Sequence, residues 1–130
     1  MRKSMTKTAW AFARFALWAA AATVPVTAQQ PTVQRKVLLT QDLAIPGYQT
    51  VMASVEIPVG GREGRHTHPG AVVVYVTEGS LTLDYEGKPT TTYKAGDAFY
   101  IEAGKIHEGI NNGSSAIKAI ATFVVGKGKP

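Results

Sequence analysis

The sequence predicts an all-β domain, a closed barrel or double-sheet jelly roll, and three observations carry that expectation. Short runs either alternate apolar and polar residues or cluster β-branched ones. Glycine and proline punctuate these runs at close intervals, with thirteen and seven copies in 130 residues. No segment beyond the first ~30 residues shows the 3.6-residue apolar period of a helix. A hydrophobic fraction of 45% against 18% charged residues is that of a globular chain, and the length suits one domain.

The elements follow in order. Arg35–Leu43 contains a β-prone core and ends before a turn at Pro46-Gly47, and Tyr48–Pro58 alternates as a half-buried strand. Val59–Arg65 is glycine-rich and charged, a loop. Ala71–Thr77, AVVVYVT, is apolar at successive positions and suits a strand buried on both faces. Glu78-Gly79 connects it tightly to the alternating strand Ser80–Tyr85; Glu86-Gly87-Lys88 then signals a hairpin into Thr90–Tyr93. Ala98–Ile101 and Lys105–Ile110 are separated by Ala103-Gly104, and Asn111-Asn112-Gly113 reads as a type I′ turn into Ala116–Val125. Tyr75, Tyr85, Phe99, Tyr100 and Phe123 are expected in the core or lining a pocket, with Met52 and Ile57.

The first 28 residues read as an address. A positive stretch with Arg2, Lys3, Lys7 and Arg14 precedes an apolar run from Phe15 to about Val26, and Val26-Thr27-Ala28 places small residues where signal peptidase reads. The uninterrupted run falls short of the ~20 residues that span a bilayer. A buried N-terminal helix or an uncleaved anchor is the alternative. The expectation is export, to a periplasm or the medium, with no membrane contact after cleavage following Ala28.

That address also explains the charge. The net of +5 loses its four basic residues, leaving ten cations against nine acids in the remainder, with no basic stripe. Nucleic acid is thereby disfavoured as a partner. There are no cysteines, which excludes disulfides, thiolate ligands and a cysteine nucleophile.

The chemistry is concentrated in the three histidines. His66 and His68 stand one residue apart, on one face if the segment is extended, and such a pair is half of a metal site. His107 follows in a second glycine-punctuated region. Gly60, His66, His68 and Gly79 match the pattern G-x5-H-x-H-x3-E-x6-G, and Gly96, Gly104, His107 and Asn111 match G-x5-P-x-G-x2-H-x3-N. On these residues the chain resembles the small single-domain cupins, from about Val33 to Val125.

The resemblance implies a cupin-type double-stranded β-helix in which His66, His68 and His107 converge on one divalent metal. Imidazole donors suit Fe, Zn, Mn, Ni or Cu without choosing among them. Two positions depart from the pattern: Val72 stands where the family's glutamate ligand sits, and Glu102 replaces a proline. Some cupin dioxygenases use three histidines without the glutamate, so a metal-dependent oxygenase acting on a small organic molecule is one expectation. A non-catalytic module for a small molecule or metal is the alternative, and a metal-free pocket lined by the histidines is a third. Glu78 is expected to support its turn rather than replace the missing ligand, and Asn111 to brace the His107 strand. Homodimerisation through Arg35–Leu43 is implied by the resemblance alone.

Overall fold

The computed structural model describes residues 27–129; the leader read at 1–28 lies outside the described residues except for its last two positions. The described chain is all-β, with eight strands: β1 (Gln34–Asp42), β2 (Tyr48–Ile57), β3 (Ala71–Glu78), β4 (Ser80–Tyr85), β5 (Thr91–Lys94), β6 (Ala98–Ile101), β7 (His107–Ile110) and β8 (Ile117–Gly126). No described helix is long and apolar enough to cross a membrane. The strands build two antiparallel sheets, one ordered β1-β2-β8-β3-β6 and the other β5-β4-β7.

The last strand is the spine of the larger sheet. β8 pairs with β2 from Tyr48↔Gly126 to Ile57↔Ile117 and with β3 on its other side. Ala119, Ala121 and Val125 on β8 turn to the interior with Val72, Val74 and Val76 on β3. They meet Leu81, Leu83 and Tyr85 from the smaller sheet and Phe99 and Ile101 from β6, which makes one core between the layers. The step from β3 to β4 passes between the sheets at Gly79, whose φ is +80°. A Cβ there would lie 2.7 Å from the carbonyl oxygen of Ala116, so both dihedral and space require glycine.

Two readings of the sequence are corrected. The first concerns β3, which is buried on one face only: Val73 and Tyr75 are 51% and 48% exposed. The larger sheet is an outer layer, and its outward face is apolar in register, with Val73 opposite Tyr100. A run apolar at every position fits this surface as well as it fits a doubly covered strand. Tyr100 is likewise outward, whereas Tyr85 and Phe99 are in the core as expected.

The second concerns Asn111-Asn112-Gly113. Type I′ geometry needs positive φ at both central residues, and among the described residues no non-glycine has one. β7 and β8 belong to different sheets, so this connection is a crossing and not a hairpin. The Asn111 side chain is buried at the crossing, donating from Nδ2 to the carbonyls of Ile57 and Ser115, both at 2.9 Å. Its Oδ1 accepts from the Gly113 N–H at 3.0 Å. Bracing of the His107 strand, expected from this residue, thus takes the form of a three-way tie between β2, β7 and the entry to β8.

Replacing Asn111 with alanine leaves two carbonyls and an N–H without these partners in a closed space. Asn111→Ala is expected to cost ~2 kcal/mol or more in urea unfolding; a loss below ~0.5 kcal/mol would contradict this account of the crossing.

Candidate metal centre

The segment between β2 and β3 is irregular, yet it is bound to β7 almost residue by residue. Gly60 and Asn111, Asn111 and Gly61, and Glu63 and Gly109 are joined by backbone N–H···O bonds of 2.9–3.2 Å. His66 and His107 then form a reciprocal pair, each N–H donating to the other's carbonyl at 3.0 Å. Opposed residues in such a pair project to the same face. This places the His66 ring against the His107 ring although 41 positions separate them in the chain. His68 is set by a different contact, its carbonyl accepting from the N–H of Gly104, which sits at φ +75°.

All three sequence-predicted histidines therefore come together. Their ring centroids are 4.8, 4.3 and 5.0 Å apart, and one nitrogen from each lies within 4.8 Å of the others. Second contacts determine which nitrogen is presented. His66 Nδ1 donates to the carbonyl of Gly64 at 2.7 Å, and His107 Nδ1 donates to that of Lys105 at 2.9 Å. A carbonyl only accepts, so both rings carry their proton on Nδ1 and offer the Nε2 lone pair inward. His66 Nε2 and His68 Nε2 are 3.1 Å apart. Nitrogens at that separation are bridged by one shared proton or by a cation between them. Metal–nitrogen bonds of ~2.0–2.1 Å at tetrahedral or octahedral angles put neighbouring ligand atoms ~2.8–3.4 Å apart; the His66–His68 pair has that separation, and the three-histidine group could hold a divalent metal.

Protonation favours the same use. Burial, with the nearby His66 and His107 rings adding to it, lowers the His68 pKa to about 4. Burial also lowers His107, against the opposing pull of its bond to Lys105. Both rings are then neutral at pH 7, which is the form that ligates.

The surroundings are asymmetric. Val72, at the position of the missing carboxylate, is 2% exposed and paired with Phe123 and Ile101, and the Phe123 ring packs edge-on against His68 at 5.0 Å. An aliphatic wall thus replaces an oxygen donor. Glu102, in place of a proline, uses the N–H that proline lacks: it donates to the Tyr85 hydroxyl at 3.2 Å. Glu78 is directed away from the site, exposed and paired with Lys118 at 3.3 Å. Behind the rings, Glu108 is 2% exposed and accepts from Arg62 Nε and Nη2 at 2.6 Å each and from the Gly64 N–H at 3.0 Å. The hydrogen bonds from Arg62 hold its carboxyl below the usual range. Gly64 in turn supplies the carbonyl that orients His66, so this ion pair fixes a ligand at one remove.

The three rings stand on the wall of a cavity of about 460 Å³ between the sheets, within the ~300–1,000 Å³ typical of small-molecule sites. Apart from the histidines the wall is mostly aliphatic and aromatic, with Arg35, Gln49, Glu63 and Lys129 as its polar members.

A family model described as "Cupin domain" matches residues 53–123, more than half of the chain. The chain is a member of the cupin family. It is similar to a germin-like protein of Oryza sativa subsp. japonica, 32% identical over 62% of this chain and 41% of the relative. It is also similar to an auxin-binding protein of Prunus persica, 30% identical over 61% of this chain and 39% of the relative. The cupin spans about two-fifths of the length of these relatives. A solved cupin superfamily protein from Desulfitobacterium hafniense shares the fold, with a TM-score of 0.62 at 13% identity, over 77% of this chain and 84% of that one.

Sequence reasoning missed Arg35, Arg62, Glu63 and Glu108. Their partners lie 28 to 46 positions away, and nothing in the local pattern separates them from the solvated charges of a loop.

The lowered histidines predict a pH dependence. In the metal-stripped protein a histidine whose pKa falls below the unfolded value of 6.5 binds fewer protons folded than unfolded. Stability from this source is full above about pH 6.5 and falls as the pH drops toward about 4. The melting temperature is expected to decline over that range, and less steeply in His68→Gln; identical profiles for the two proteins would contradict the assignment.

Proposed function

We propose that this cupin holds one divalent transition metal (Fe, Zn, Mn, Ni or Cu) through His66, His68 and His107 and presents it to a small organic molecule in the cavity. The observation that carries the proposal is the convergence of three imidazoles on the wall of an apolar chamber, two of them oriented through Nδ1. Three neutral ligands leave coordination positions open, the pattern of catalytic rather than closed structural sites. A bound metal supplies Lewis acidity and, with a redox-active ion, an electron route to dioxygen.

The chain's own residues do the rest. Gly64 and Lys105 keep two rings in the ligating tautomer. The aliphatic wall with Val72 disfavours water and leaves the positive charge of an ion uncompensated by any carboxylate among the described residues. That favours an anionic or bidentate ligand, and the reaction class proposed is that of a metal-dependent dioxygenase. The non-catalytic binding module remains the second reading. It is favoured by one observation: the single acidic side chain on the described cavity wall, Glu63, is already engaged by Arg35 and Gly109. Oxygen uptake with any of the Fe-, Mn-, Ni- or Cu-loaded proteins decides for the enzyme, and its absence with all four decides for the module.

Export and homodimerisation belong to the same proposal. β1 is exposed along its whole length and forms an open edge of the larger sheet, with Val37, Leu38 and Leu39 each about half exposed or more. Such an edge needs a cover, and a second copy is the proposed one. Native mass spectrometry of the protein from the cells that make it reads these points together. The account expects a chain beginning at Gln29, a dimer and one metal per chain. A chain beginning at Met1 would contradict export, and a monomer would contradict the dimer. Metal content unchanged in His107→Ala would contradict the three-ligand site.

A further inference from the structure

The two sheets do not close on each other completely. β1 is one edge of the larger sheet; the smaller sheet is extended beyond β7 by the bridged segment 62–66. Across the seam between them runs an ion pair, Arg35 Nη2 to Glu63 Oε1 at 2.8 Å, and both residues line the cavity.

The partners of that pair are not equivalent. Glu63 is 14% exposed, and each of its oxygens is in use: Oε1 accepts from Arg35, and Oε2 accepts from the Gly109 N–H at 3.0 Å. Residue 109 makes room for this carboxylate, since a Cβ there would stand 2.7 Å from Oε2. Arg35 differs on both counts. Its side chain is 49% exposed, and its one hydrogen bond among the described residues uses one N–H of a guanidinium that has five. Lys129 is a second cation on the same wall. What the seam offers to the cavity is therefore donors and positive charge, with the negative partner already committed to holding the loop.

Around this polar point the wall is hydrocarbon: Val37, Val51, Val55, Val74, Leu81 and Phe123. We propose that the cavity takes a small amphipathic monoanion, its apolar body against these side chains and its carboxylate-type head on the free face of the Arg35 guanidinium. A planar fork recognises a carboxylate bidentately, and the aliphatic part of the wall takes the hydrocarbon body. The inference rests on reading the cavity as a small-molecule chamber and is independent of whether the histidines carry a metal. Arg35 is on this account a specificity-determining residue, and Glu63 a partner whose charge offsets part of the guanidinium's pull on the head group.

Isothermal titration of octanoate and of 1-octanol, a matched pair differing in the head group, tests this on the full chain before and after metal removal with a chelator. Octanoate is expected to bind about tenfold more tightly than the alcohol, and to do so in the metal-stripped protein. Arg35→Gln should abolish that preference while leaving 1-octanol unchanged. Glu63→Gln should strengthen octanoate binding, because the amide still accepts from Gly109 but no longer neutralises the guanidinium. Equal affinities in the parent protein, a preference that survives Arg35→Gln, or octanoate weakened by Glu63→Gln would each overturn the proposal. A preference lost on metal removal would move the head group to the histidine site and overturn it too. Failure of both ligands to bind would overturn the chamber itself and leave the metal reading standing.

Discussion

The docking of the irregular segment 60–66 onto β7 is the constraint on which the site depends. Two stretches far apart in the chain are locked by backbone bonds from Gly60–Asn111 to His66–His107, and the side chains of Glu63 and Glu108 seal the register. The lock does two things at once. It extends the smaller sheet over the cavity, and it opposes two histidines as a bonded pair. A one-residue slip would send one imidazole to the other face of the sheet. The buried Glu108, with Arg62 and the Gly64 N–H on its oxygens, resists such a slip because moving it would strand a charge in the interior.

Much of this was legible beforehand, for identifiable reasons. Alternation and glycine placement put β4 and β6 on their observed bounds and the other strands within one or two residues. The motif spacing singled out the three rings that the fold gathers. What alternation cannot reveal is whether a sheet's second face is covered, since an exposed apolar face such as that of Val73 and Tyr100 reads like a buried one. Nor does a local Asn-Asn-Gly signal disclose that the strands it joins lie in different sheets, where the asparagine serves as a tie. An extended strand would bring His66 and His68 to one face, yet the structure uses a bridge to β7 for one and the turn at Gly104 for the other. The ion pairs stayed hidden because their partners are distant in sequence.

The replacement of a carboxylate by Val72 gives the site its character. A metal held by three imidazoles would keep its full positive charge, and Phe123, paired with Val72, packs against His68. Charge compensation then falls to water or to an incoming ligand. Among the described residues, the carboxylate that reaches the cavity, that of Glu63, is held at the seam by Arg35 and Gly109, outside the histidine group.

The central claim is that three imidazoles form one metal sphere. X-ray absorption fine structure of the zinc- or cobalt-loaded protein tests it at the metal itself. The account predicts nitrogen scatterers at ~2.0–2.1 Å with the outer-shell pattern of about three imidazole rings. A first shell made of oxygen alone, without imidazole scattering, would contradict it.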